Sequence, residues 1–144
     1  MAENGEPLSA QDALVAVMVA VSAADEKISD SEMRWIMAII DLLPIFVGYD
    51  RDRIARVSAL VADLFEDDDG LDALIGLVDQ VLPDRLRETA YALACDVAAA
   101  DGRIEQTEAR FLEMLRHDLR VGRLPAAAIE RGARARHQRL VSNN

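Results

Sequence analysis

Cysteine and aromatic residues are scarce in this chain. The single cysteine, Cys95, cannot form an internal disulfide, which removes the small disulfide-stapled folds and fits a reducing compartment. Aromatic residues make up only 4%, so a core must come from Ala, Leu, Val and Ile, small side chains that suit closely packed helices. Basic residues are also short, 16 against 26 acids, for a formal net charge of −10. That balance argues against sequence-independent binding to nucleic acid or anionic lipid, both of which need a basic surface. The longest apolar run, Ala13 to Val21, falls well short of a bilayer span. The first seven residues are acidic and lack the charged-then-apolar pattern of a signal peptide, so the expectation is a cytoplasmic protein.

What is present is helical punctuation, with no β-alternation anywhere. A length of 144 residues is one domain with one substantial core. The expected layout is a flexible N-terminus over 1–8, a single domain over 9–138 and a frayed end over 139–144. Ser9 caps a first helix, with Asp12 in its first turn, running to about Ala24 and apolar almost all round, as a buried helix must be. Ser29 caps a second, stopped at Pro44; Asp50 caps a third, to about Phe65; a fourth runs from about Leu71 to Val81. Pro83 is expected at the first position of helix five, which runs to Ala100. Helix six covers about Gln106 to Leu119, and helix seven opens at Pro125. The fold class is therefore all-α, about seven helices.

Two stretches read alike. Ala23-Ala24-Asp25-Glu26-Lys27-Ile28 leads to Glu32, and Ala99-Ala100-Asp101-Gly102-Arg103-Ile104 leads to Glu108. Laying Gln11–Ile40 on Arg87–Arg116 also pairs Ala16 with Ala92, Val21 with Val97, Arg34 with Arg110 and Trp35 with Phe111. The pattern predicts two pseudo-symmetric helical hairpins whose first helices, one and five, pack together at the centre.

Asp101-Gly102-x-Ile104-x-x-x-Glu108 matches the second half of an EF-hand calcium loop, but Val97 and Ala99 stand where the first two ligands belong. Neither turn alone supplies the oxygens Ca²⁺ needs. Brought together, Asp25, Glu32, Asp101 and Glu108 could converge into one weak site for Ca²⁺, Mg²⁺ or Mn²⁺, with a dissociation constant of roughly 10⁻⁵–10⁻³ M. Ser29, Glu105 and Asp96 are candidate helpers. The competing reading is structural. Ser29-x-x-Glu32 is a capping box needing no metal. Glu105-x-x-Glu108 has no Ser or Thr to close the same box, so capping explains Glu108 less well.

The pair of turns resembles those of the tellurite-resistance TerB family, over roughly Ala10 to His137. The resemblance implies an all-helical domain of two pseudo-symmetric halves, with clustered acids as a divalent-metal site. It maps the motif acids onto Asp25, Glu32, Asp101 and Glu108. A related domain heads a membrane-anchored J-domain co-chaperone, which implies interaction rather than catalysis. Glu26 departs from the glycine usual at its position.

The other candidates are weaker. Asp96 is expected as a half-exposed helix acid, a partner for Arg34 or Arg110, or an outer group of the acidic cluster. Cys95 reads as a small apolar filler. His117 follows Glu113 at the wrong spacing for a di-iron bundle, and His137 has no partner pattern. Six arginines after Asp118 (Arg120, Arg123, Arg131, Arg134, Arg136 and Arg139) against Glu130 make the tail basic, a solvated face or a surface for an acidic partner or a membrane. With no phosphate loop, zinc spacing or nucleophile motif, the expectation is a non-enzyme: a metal-binding, stress-response domain, or alternatively a protein-interaction module using helix seven or a groove beside helices three and four. A monomer is expected, because two halves can satisfy one core.

Overall fold

The computed structural model describes residues 7–24, 28–102 and 104–141. Seven α-helices account for the architecture: α1 (Ala10–Ala23), α2 (Asp30–Leu42), α3 (Arg53–Leu64), α4 (Gly70–Val81), α5 (Arg87–Ala99), α6 (Gln106–Asp118) and α7 (Arg123–Arg136). No strand occurs among the described residues. Of the expected end segments 1–8 and 139–144, residues 1–6 and 142–144 lie outside them.

Local residues shape several of the helix starts. Ser9 accepts from the Asp12 amide while Asp12 accepts from the Ser9 amide, closing a reciprocal box on α1. Asp50 organises the turn before α3 by accepting from the Asp52 amide, and the helix itself begins three residues later than Asp50. Pro83 precedes a short 3₁₀ turn, Asp84–Leu86, and α5 starts at Arg87 rather than at the proline. Helix seven opens at Arg123, two residues before Pro125. The proline is accommodated in the first turn, where its missing N–H has no intrahelical acceptor to lose. Gly70 starts α4 so close to α3 that a Cβ there would lie 2.2 Å from the Leu64 carbonyl oxygen.

The centre of the molecule is α1. Every residue from Asp12 to Ser22 is buried, and α1 packs along α5, itself buried at Ala90, Tyr91, Leu93, Ala94, Val97 and Ala98. Small residues on both helices let the two backbones approach. The flanking helices repeat the arrangement. Helix α3 lies on α1 as α7 lies on α5, and α2 reaches across to α5 as α6 reaches across to α1. The expected pseudo-symmetry therefore extends beyond the hairpins to the third helix of each half. Helix α4, packed on α1, α3 and α6, has no counterpart among the described residues.

A buried ionic cluster joins α1 to α3. The Asp12 carboxylate, fully buried, accepts from Tyr49 Oη at 2.8 Å and from Arg53 Nε at 2.9 Å, with the Arg53 Nη2 on its other oxygen. Burial works against ionising this acid. The guanidinium, the Ser9 amide and the Tyr49 hydroxyl outweigh it and hold the carboxyl down at about 2. The same burial and the neighbouring carboxylate push the Tyr49 phenol up. In sequence Asp12 reads only as a first-turn acid, and its partners lie 37 and 41 residues away.

Candidate functional site

The packing of α1 on α5 brings the ends of the two hairpin turns together. Ser29 Oγ donates to Asp101 Oδ1 at 2.9 Å across 72 residues of chain. Ser29 also caps α2, where its hydroxyl accepts from the Glu32 amide at 3.0 Å and its own amide donates to Glu32 Oε1 at 3.1 Å. Asp101, Ser29 and Glu32 thus form one continuous chain of hydrogen bonds. Asp101 stands at the end of α5, and Gly102 follows it with φ +86°, a conformation that glycine adopts without a Cβ clash. Asp25 and Glu26, on the first turn, lie outside the described residues.

At α6 the structure corrects one expectation. Glu105 occupies the cap position and closes a reciprocal box with Glu108: the Glu105 amide donates to Glu108 Oε1 at 3.1 Å, and the Glu105 carboxylate accepts from the Glu108 amide. A carboxylate does here what Ser or Thr does elsewhere, aided by the positive end of the helix dipole. Glu108 and Glu32 are equivalent by pseudo-symmetry and equally buried, each 2% exposed. Both glutamates have a capping role, so the spacing that suggested ligands also serves two helix starts. Among the described residues no three His, Cys, Asp or Glu side chains are grouped to hold a metal ion.

Among the described residues Asp96 joins neither the turns nor Arg34 or Arg110. Its Oδ1 accepts from Arg136 Nε at 3.0 Å and Nη2 at 2.7 Å, and lies 3.3 Å from His137 Nε2. The reason is packing: α7 runs along α5 and delivers its C-terminal residues to the Asp96 face. His137, which lacks any partner pattern in sequence, has a buried side chain and meets Trp35 edge-on, ring centroids 4.6 Å apart. Part of the basic tail is therefore structural. Arg136 pairs with Asp96, Arg120 with Asp79, and Arg139 donates to the Ala100 carbonyl at 3.1 Å.

Cys95 fills space under α7, as its type suggests, but in polar company. Tyr91 Oη donates to Glu130 Oε2 at 2.5 Å beside it. Burial pushes the Cys95 thiol up to about 12, with the Glu130 charge adding and the Tyr91 hydrogen bond opposing. Helices α6 and α7 flank a groove over α5 of about 960 Å³, lined by Tyr91, Cys95, Leu112, Glu130 and Arg134 among others. No described helix is long and apolar enough to cross a membrane.

Among curated proteins and among solved structures nothing matches the chain. A family model described as tellurite resistance protein TerB matches residues 11–131, which takes in both acidic turns and all seven helices, α1 short of Ala10 and α7 in part. With most of the chain inside that match, and with the all-α fold and paired turns already seen, the chain belongs to the TerB family.

Proposed function

We propose that this is a non-enzymatic, cytoplasmic, monomeric domain of the tellurite-resistance and stress-response type, which binds a divalent cation weakly at its two acidic turns. The observation that carries the reading is the Ser29–Asp101 hydrogen bond, because it makes neighbours of turns 72 residues apart. Oxygen-only donors favour Ca²⁺, Mg²⁺ or Mn²⁺ over softer ions. Asp25, Glu32, Asp101 and Glu108 are the proposed ligands or near shell, with Ser29 and Glu105 as helpers. Asp96 drops out of the set, being engaged with Arg136 and His137.

A second reading, a protein-interaction module with purely structural acids, is favoured by the two completed capping boxes. Melting of the chelated protein with and without millimolar Ca²⁺, Mg²⁺ or Mn²⁺ separates the two. A cation at a hundred times its dissociation constant adds about 2.7 kcal/mol, or roughly 5–15 °C. The metal reading expects that rise in the wild type and its loss in Asp101→Asn/Glu108→Gln. A melt unchanged by every cation makes the acids structural.

A further inference from the structure

Among the described residues, pseudo-symmetry leaves one seat in this fold without a tenant. Helix α4 lies across α1, α3 and α6, and the operation relating the two halves turns those three into α5, α7 and α2. Beside the seated α4 is a small cavity of about 280 Å³, lined by Ala24, Phe65, Thr107 and Arg110, with Asp67 and Leu71 from α4 and its lead-in. The repeat carries Ala24 onto Ala100, Thr107 onto Ser31 and Arg110 onto Arg34. Those three residues, with Trp35 and Ala38, line a second depression of about 480 Å³. Phe65 and His137 correspond too, each the residue that ends the third helix of its half. The second depression corresponds to the first one with the helix left out: it is larger, and among the described residues nothing stands in the place of Asp67 and Leu71.

The side chains record the same difference. Phe111 of α6 is fully buried, while its counterpart Trp35 of α2 is only half-buried, met by His137. Arg34 is exposed on the rim and has no ion pair among the described residues, whereas its counterpart Arg110 shares its cavity with Asp67. Arg139, bonded to the Ala100 carbonyl, brings a second positive charge to the same edge, followed by the exposed Leu140 and Val141.

We propose that the face formed by Ser31, Arg34, Trp35, Ala38 and Ala100 is a docking seat for an amphipathic helix of a partner protein built like α4. The occupant carries Leu, Ile or Val in the pattern of Leu74, Ile75 and Val78, the buried face of α4, and acids at its N-terminal end to meet Arg34. The known tenant of the equivalent seat defines the shape, and the unpaired arginine defines the charge. Cation binding plays no part in it.

The probe is a peptide of residues 67–81 of this chain, stapled between the solvent-facing positions 76 and 80 and fluorescently labelled, titrated in chelator into the full chain. Saturable binding is expected, with a blue shift of the emission of Trp35, the one tryptophan. Arg34→Glu and Ala38→Glu should each weaken binding about tenfold or more, since each sets a carboxylate against an acidic or apolar ligand surface. Arg110→Glu, at the seat α4 already fills, should leave it unchanged. Melting curves confirm that the variants are folded. Absence of saturable binding at millimolar peptide overturns the proposal. So does sensitivity to Arg110→Glu in place of Arg34→Glu, which would mean exchange with α4. Sedimentation showing a dimer that buries Trp35 would assign the seat to a second copy instead.

Discussion

Ser29 and Asp101 are 72 residues apart in sequence and 2.9 Å apart in the fold, and their hydrogen bond fastens the start of α2 to the end of α5. The same hydroxyl caps α2. Ser29→Ala removes both interactions and should cost about 1–2 kcal/mol, the upper part of the range for a lost cap. Ser29→Asp keeps an acceptor for the Glu32 amide but sets a carboxylate against Asp101. Thermal melting of the pair reports the cap and the link separately: if only the cap matters, Ser29→Asp melts with the wild type.

Gly102, next in the chain after Asp101, should tolerate no side chain cheaply. Its φ of +86° costs an L-residue about 1–2 kcal/mol, so Gly102→Ala should lower the denaturation midpoint without changing the slope.

Asp12 makes the acid limb of stability predictable. Its folded carboxyl titrates at about 2, against an ordinary 3.8, so between those values the unfolded chain binds more protons than the folded one. The contribution is complete above about pH 4 and is lost as the pH falls through about 2. It amounts to about 2 kcal/mol. Asp12→Asn removes this dependence and leaves Arg53 facing a neutral group, which should cost about 3–5 kcal/mol at neutral pH. Urea titrations between pH 2 and 5 should show the wild type losing about 2 kcal/mol more stability across that window than the variant.

How legible these features are depends on the range of the interaction. The central place of α1 can be read from Leu14 to Val21, because a helix with no polar face has to be buried. The Ser9 and Ser29 caps are local and equally readable. Glu105 as a cap is local too, yet glutamate seldom fills that position, so the spacing to Glu108 points as well to a ligand pair as to a box. The partners of Asp12 and Asp96 could not be read at all. They lie about forty residues off, and only the packing of α3 on α1 and α7 on α5 selects them. The family motif locates the turns but says nothing of whether their carboxylates face an ion or a backbone amide.

Cys95 should be nearly inert in the folded protein. A thiol held at about 12 rather than 9.0 carries about a thousandfold less thiolate at pH 8, and its side chain is buried besides. Labelling with a thiol-reactive chromophore should be at least that much slower in buffer than in denaturant. A fast native reaction would mean that α7 lifts away from α5.

The end of α7 offers a direct report on how that half of the molecule is closed. Asp96 holds Arg136 and lies within reach of His137, and His137 in turn covers one edge of Trp35. Asp96→Ala therefore releases two side chains at once, and at a site 14% exposed a charge-assisted hydrogen bond contributes about 1.5–3 kcal/mol. The consequence should be visible at Trp35 before the protein unfolds. With His137 free to leave, the indole gains water and its emission shifts to the red at temperatures where helicity is unchanged. Arg136→Ala removes the ion pair while leaving the imidazole in place, and should destabilise α7 without moving the emission. If both variants shift it equally, the arginine rather than the histidine is what covers Trp35.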